Sequence, residues 1–304
     1  MPLLLAAALG LLSAVHRPPA PAPETGEPLI VTTAWLAAHL ADNGLVIFQI
    51  GDQNSKPTYD EGHIPGAQFL NPFQELAAPR AEGALALELP SLEVLDSVLE
   101  SKGISNDSRV VLYSARQYFS PTSRTVFTLE YAGLGGRVSI LDGGLEEWKR
   151  EGRAVTTDVP VPAPGRFTVR ANAALVADAK YVAANLENKG VRILDARDTA
   201  FYNGRETRQG RNGHIKNAVS VPFTTMVDSS GKFRSPATLQ AQLAAAGVEK
   251  GQTVVTYCHI GQQATLVWFI ARVLGYDAKL YDGSFQDWAG RAELPVVNPA
   301  AKPE

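Results

Sequence analysis

Residues 254–275 read VVTYCHIGQQATLVWFIARVLG, and three kinds of local order follow one another within them. The apolar run that ends at Tyr257 has the length and composition of a buried strand. From Ala264 onward the apolar residues recur with helical spacing. Between the two lie only Cys258 and the five residues His259, Ile260, Gly261, Gln262 and Gln263. Strand, tight loop and helix in succession form the unit of a parallel α/β sheet, and in such sheets ligands collect at the carboxyl ends of the strands. Cys258, the only cysteine of the 304 residues, stands at one such end.

The same pattern exists a second time, without the thiol. Val110-Val111-Leu112-Tyr113-Ser114 corresponds to Val254-Val255-Thr256-Tyr257-Cys258. Gly62-His63-Ile64-Pro65-Gly66-Ala67 corresponds to Gly213-His214-Ile215-Lys216-Asn217-Ala218. Leu141-Asp142-Gly143-Gly144 with Trp148 beyond corresponds to Tyr281-Asp282-Gly283-Ser284 with Trp288 beyond. The three matches keep their order, and their separation drifts only from 151 to 140 residues, as unequal loops would make it do. The chain is therefore a tandem duplication. Its join is VTTDVPVPAPGRF (155–167), where prolines cluster and periodicity is lost. These limits give an amino-terminal domain over 29–154 and a carboxy-terminal domain over 168–298.

Each half alternates apolar strands with amphipathic helices. LVIFQI (45–50), RVVLYS (109–114) and VSIL (138–141) read as buried parallel strands, and VRILDA, TVVTYC and AKLYDG repeat them. Helices are expected over TTAWLAAHLA (32–41), SLEVLDSVLESKG (91–103) and SRTVFTLEYAG (123–133), with AKYVAANLENKG, SPATLQAQLAAAG and ATLVWFIARVLG in the second half. Ser91 before the second of these and Gly103 after it suit helix caps. The fold class is α/β, each half a parallel sheet with helices on both faces.

Composition narrows the function. A net charge of −3 with no run of one sign argues against a nucleic-acid surface. One cysteine excludes an intrachain disulfide and a multi-cysteine zinc site. The first 28 residues, MPLLLAAALGLLSAVHRPPAPAPETGEP, hold an apolar stretch from Leu3 to about Val15 and then a Pro/Ala linker. The stretch resembles a signal peptide without the usual leading basic residues, so a periplasmic or secreted location is expected. It is too short to span a bilayer, and nothing else is apolar enough to do so. No cysteine follows it to carry a lipid.

The loop after the strand can curl so that its backbone N–H groups point inward, where they and the positive helix end favour an anion. Gly261 permits the backbone angles of such a curl. A thiol at the centre is expected to be more readily ionised and hence nucleophilic. The opposing reading, a small buried hydrophobe at a strand end, is weakened by the other half, where ARQYFSPTSR follows Ser114 and has neither the glycine nor the compact spacing.

With these residues in place the chain after the linker, about residues 30–297, resembles the tandem-domain rhodanese sulfurtransferases. Cys258 with Gly261 three residues on and Ala264 at six matches the active loop of that family. The two Gly-His-Ile segments, Asp195-Ala196-Arg197, Asp282-Gly283 before Trp288, and GRAELPVV (290–297) also match. The resemblance implies two tandem rhodanese-like domains, the first inactive and the second catalytic. It implies that Cys258 takes the outer sulfur of a donor such as thiosulfate, or 3-mercaptopyruvate in related enzymes, as a persulfide. Cyanide or a thiol then accepts the sulfur. No metal or organic cofactor is required.

Two departures bear on the donor. Thiosulfate enzymes of the family carry basic side chains directly after the cysteine, and mercaptopyruvate enzymes small ones; here the residues are His259 and Ile260. His259 would offer part of a positive charge or a hydrogen bond. The family also places donor-contacting arginines before the second Gly-His-Ile. Phe201 occupies one such place, while Arg205, Arg208 and Arg211 are nearby, Arg205 and Arg211 being the expected contacts. The substrate-binding set is thus His259, Ile260, Gly261, Gln262, Gln263, Arg205 and Arg211. Asp195 with Arg197, the pair His63 and His214, and the pair Trp148 and Trp288 read as structural. A phosphatase is disfavoured, because Ala264 stands where an arginine would hold phosphoryl oxygens and the loop is one residue short. A non-catalytic binding or redox-sensing module is the remaining alternative.

Overall fold

A computed structural model of the chain describes residues 28–115 and 119–301. The leader and linker over 1–27, and with them the expected export signal, lie outside the described residues, as do Arg116, Gln117 and Tyr118 of the segment after Ser114.

The amino-terminal half runs β1 (Ile30–Val31), α1 (Thr33–His39), β2 (Leu45–Ile50), α2 (Lys56–Glu61), β3 (Ala67–Leu70), α3 (Pro72–Glu75), α4 (Leu92–Ser101), β4 (Arg109–Ser114), α5 (Ser120–Leu129), β5 (Val138–Leu141) and α6 (Gly144–Arg150). The carboxy-terminal half runs β6 (Val176–Ala177), α7 (Ala179–Ala184), β7 (Val191–Asp195), α8 (Thr199–Tyr202), β8 (His214–Ile215), β9 (Val219–Ser220), α9 (Pro236–Ala245), β10 (Thr253–Tyr257), α10 (Ala264–Val273), β11 (Asp277–Tyr281), α11 (Ser284–Gly290) and β12 (Val296–Val297). The two main sheets have the orders β1-β5-β4-β2-β3 and β6-β11-β10-β7-β9, and every pairing within them is parallel. The duplication seen in the sequence is thus a duplication of topology.

Helix limits follow local chemistry. Ser91 caps α4 by accepting from the Val94 amide, as its position suggested. The helix expected over 123–133 begins earlier, at Ser120 with Pro121 in its first turn, and ends in a π-type turn over Glu130–Leu134 that closes at Gly133 with φ +117°. The helix expected over AKYVAANLENKG is shorter, stopping at Ala184.

Side chains alternate across each strand, and this period of two sorts them into three apolar layers. Val111 and Tyr113 of β4 join Leu36, Leu145 and Trp148 in a core of the first half alone. Val255 and Tyr257 of β10 join Val182, Phe285 and Trp288 in a core of the second half alone. Val110 and Leu112, with Val254 and Cys258, face a third core common to both halves. There α5 lies against α10, and Phe127 meets Trp268 edge to face at 5.1 Å between ring centroids. Burial of one such side chain stabilises by about 2–3 kcal/mol, so this shared layer welds the halves together.

Each half also reaches into the other in the same way. The Asp142 carboxylate accepts from the Phe233 amide (2.9 Å), and the Asp282 carboxylate accepts from the Leu89 amide (3.3 Å). The repeated histidines do matching work. His63 stacks on Tyr59 and His214 on Tyr202, both at 3.8 Å and 7°, and each Nδ1 bonds the carbonyl of the tyrosine it covers. Trp148 and Trp288 are packed in the outer cores, each donating its indole N–H to a backbone carbonyl. The structural readings of these four residues hold.

Candidate active site

Cys258 is the first residue beyond β10, and its side chain points into the shared layer, fully buried. The start of its loop is gripped from α11. Its amide donates to Ser284 Oγ (3.2 Å), whose hydroxyl donates to Tyr281 O (2.8 Å). The carbonyls of Cys258 and His259 accept from the amides of Phe285 and Gln286, both at 3.0 Å. Ser284 holds a left-handed φ of +52°, where the first half has Gly144 at +56°. A non-glycine residue there costs about 1–2 kcal/mol of strain, and this serine uses its hydroxyl to hold the backbone of Cys258. Sequence reading missed it, although the Gly-to-Ser change inside a repeated motif was a visible signal.

Beyond His259 the loop behaves as its glycine suggested. Gly261 has φ +74°, and a Cβ there would lie 2.4 Å from the Asp282 carbonyl oxygen. Both backbone angle and space exclude a side chain. The amides of Ile260, Gly261 and Gln263 donate to no backbone or side-chain acceptor among the described residues. The carbonyls of Gln262 and Gln263 are engaged by the amides of Thr265 and Leu266 as α10 begins. Gln262 also donates through Nε2 to Ser120 Oγ of the first half (3.2 Å), while Gln263 Oε1 is buried with no donor among the described residues. Ile260 and Gln262 border a cavity of about 530 Å³ whose opposite wall, including Phe73, Arg80 and Leu87, comes from the first half.

His259 is nearly buried. It meets Phe201 edge to face at 4.5 Å, and its Nδ1–H donates to Gln209 Oε1 (3.1 Å). Burial, and then the charges of Arg197 and Arg208, hold its pKa down at about 4. The imidazole is therefore neutral near pH 7, which corrects the expectation that it offers part of a positive charge.

The arginines also differ from expectation. Arg211 donates to the carbonyls of Arg291 (3.1 Å) and Leu294 (3.0 Å), fastening the carboxy-terminal segment, while Arg205 and Arg208 are both exposed. Of Arg205, Arg208 and Arg211, only Arg208 acts on His259 by its charge, and it lies 5.3 Å from the Phe201 ring centroid. Arg211 is therefore committed to backbone carbonyls, and of the three arginines Arg208 is the one placed beside the loop histidine. Arg197 is buried and bidentate to Asp195, with a further bond to Gly213 O (2.7 Å), and it covers Phe285 at 4.0 Å. Tyr257 completes this group, donating to Asp195 (2.6 Å) and accepting from the Ile215 amide (3.1 Å). Asp195 and Arg197 thus order the backbone around the loop, as read from the sequence. Arg124 of α5 was not foreseen; it reaches the loop from the other half, donating to Gly261 O (3.1 Å) and pairing with Asp282.

A lone thiol at a strand end, a loop whose amides are unengaged among the described residues and a helix start favour attack by sulfur and stabilisation of an anion. Among the described residues no group of histidine, cysteine, aspartate and glutamate is arranged to hold a metal ion, and no helix is long and apolar enough to cross a membrane.

Comparison with known proteins agrees with this geometry. The family model described as "Rhodanese-like domain" matches twice, over residues 32–151 and 178–291. A thiosulfate sulfurtransferase of Azotobacter vinelandii is 30% identical over 271 residues, covering 88% of this chain and 97% of its own. A probable 3-mercaptopyruvate sulfurtransferase of Pseudomonas aeruginosa is 32% identical over 279 residues, covering 88% and 97%. Among solved structures, the 3-mercaptopyruvate enzyme SseA of Escherichia coli superposes with a TM-score of 0.74 at 27% identity, covering 85% of this chain and 99% of that one.

Proposed function

The chain belongs to the rhodanese family, and from that membership we propose that it is a sulfurtransferase with Cys258 as the sulfur carrier. The Cys258 thiolate attacks the outer sulfur of thiosulfate. The S–S bond of the donor breaks, sulfite departs with the electron pair, and a Cys258 persulfide remains. A thiophilic acceptor, cyanide or a thiol, attacks the terminal sulfur and returns the thiolate. Sulfur moves as a neutral atom in both steps, so no external oxidant or reductant enters.

The observation that carries this reading is the set of amides at Ile260, Gly261 and Gln263, unengaged among the described residues, in the loop that follows the only thiol. Such donors stabilise the charge that develops on sulfur without reorganising. Arg208 supplies the cation for the donor's anionic end, and Ile260 with Gln262 shapes the adjoining cavity wall.

A second donor is favoured by one specific feature. His259 is neutral and Ile260 apolar, so the cationic side chains stand outside the loop. In thiosulfate the charged oxygens adjoin the transferred sulfur, whereas in 3-mercaptopyruvate the carboxylate lies several bonds away and suits a cation set back from the thiol. Intact mass after incubation with each donor decides between them. A gain of about 32 Da, one sulfur atom, on the wild type and none on Cys258→Ser is expected. A gain that survives in Cys258→Ser would remove Cys258 from the reaction.

A further inference from the structure

We propose that Arg124, on the half without a nucleophile, is a positioning residue for sulfur transfer, setting the orientation of the loop that follows Cys258. The inference rests on the persulfide reading above.

Arg124 lies in the second turn of α5 and is nearly buried, with 4% of its surface exposed. Its guanidinium bridges three groups of different origin. It donates to Gly261 O in the active loop (3.1 Å), pairs with the Asp282 carboxylate before α11, and donates to Leu87 O in the first-half segment that crosses over the loop. Asp282 is itself held by the Leu89 amide (3.3 Å), and its own carbonyl oxygen packs against Gly261. Loop, strap and helix start therefore meet at one side chain.

The carbonyl and the following N–H of a trans peptide point in opposite directions. A guanidinium that holds Gly261 O therefore fixes the plane of the peptide between Gly261 and Gln262, and it restrains a glycine that would otherwise have wide backbone freedom. Asp282 neutralises the arginine, so its effect on the thiol is chiefly geometric. The fork shape matters as well, because several donors in fixed directions are needed to hold separate acceptors together.

The duplication supplies an internal comparison. The matching fifth residue of α10, the helix that packs on α5, is Trp268, and the one arginine of α10, Arg272, pairs with Glu130. The first half, whose strand ends in Ser114, receives no matching guanidinium from that position. The brace runs one way, toward the half that holds the thiol.

The test measures single-turnover persulfide formation by intact mass, steady-state kcat and KM, and melting temperature for wild type, Arg124→Gln and Arg124→Lys. Misdirecting preorganised donors costs on the order of 10- to 100-fold in rate. Arg124→Gln should lose that much in persulfide formation and kcat while KM changes by less than about 3-fold, with Arg124→Lys between it and wild type. Arg272→Met, which breaks the other ion pair between α5 and α10 (Arg272 to Glu130, 2.9 Å), should lower the melting temperature and leave kcat unchanged. If Arg124→Gln does not fold, Asp282→Asn, which weakens the arginine's anchor, should show the same kcat-selective loss in smaller degree. Unchanged loading rate and kcat in Arg124→Gln, or in Asp282→Asn where that variant is used, overturns the proposal alone. Equal losses in Arg124→Gln and Arg272→Met reduce Arg124 to an interface residue and overturn it too. A wild type that takes up no sulfur from either donor overturns the persulfide reading and this proposal together.

Discussion

The phenol of Tyr257, one residue before the thiol, donates a 2.6 Å hydrogen bond to the carboxylate of Asp195, which also holds Arg197 bidentately. Tyr113 occupies the equivalent place in the first half. It accepts from the Ile64 amide (3.2 Å) as Tyr257 does from Ile215, but its strand neighbour is Gln49 instead of a carboxylate. Removing a hydrogen bond to a buried charge costs about 1.5–3 kcal/mol and a neutral one about 0.5–1.5. Tyr257→Phe should therefore destabilise more than Tyr113→Phe in urea denaturation. Equal losses would show that Asp195 finds another donor.

His259 gives a pH dependence of known sign. Its folded pKa is lowered from 6.5 to about 4 by burial and by Arg197 and Arg208. Above pH 6.5 the ring is neutral in both folded and unfolded chains. Between 6.5 and about 4 the unfolded chain takes up a proton that the folded one refuses, so stability falls by up to about 3 kcal/mol across this window. His214, also shifted downward by burial, acts in the same direction. His259→Gln should flatten part of the acid loss seen in urea midpoints measured from pH 7 to 4.5. Identical slopes would mean that the loop opens to water before the ring titrates.

Gly261→Ala should fold with a lowered melting temperature and lose at least about 10-fold in kcat, because φ of +74° and the 2.4 Å approach to Asp282 O leave the added methyl no place. Gly44, at φ +79° with nothing near its Cβ position, is the control for backbone strain alone. Gly44→Ala should carry a small stability cost and normal turnover.

Burial of Cys258 predicts discrimination by size. A bulky maleimide should label the native protein far more slowly than the urea-unfolded protein, whereas cyanide should still discharge the loaded enzyme. Fast maleimide labelling of the native chain would show that the cover over the sulfur opens readily.

The fold was legible because its determinants are local or periodic. Buried strands such as RVVLYS and TVVTYC announce themselves by composition, and the duplication by ordered motifs. Cys258 stood out for the same reason, being a singular residue at a strand end. What the sequence hid depends on distance. Arg124 lies 137 residues from Gly261, and nothing in its neighbourhood marks it as part of the site. Arg205, Arg208 and Arg211 look alike in the sequence; only packing shows Arg211 on the carbonyls of 291 and 294 and Arg208 beside Phe201. The neutrality of His259 is likewise a product of burial, which a loop sequence does not display.

The apolar layer common to both halves has a consequence for the gene. Neither copy can be shed, although only one carries a thiol, because each supplies a wall that the other would otherwise leave wet. A protease cut within 155–167 should leave two fragments that remain together through gel filtration, and the carboxy-terminal piece made alone should aggregate through the bared face of α10. The copy without a thiol endures as half of an indivisible body.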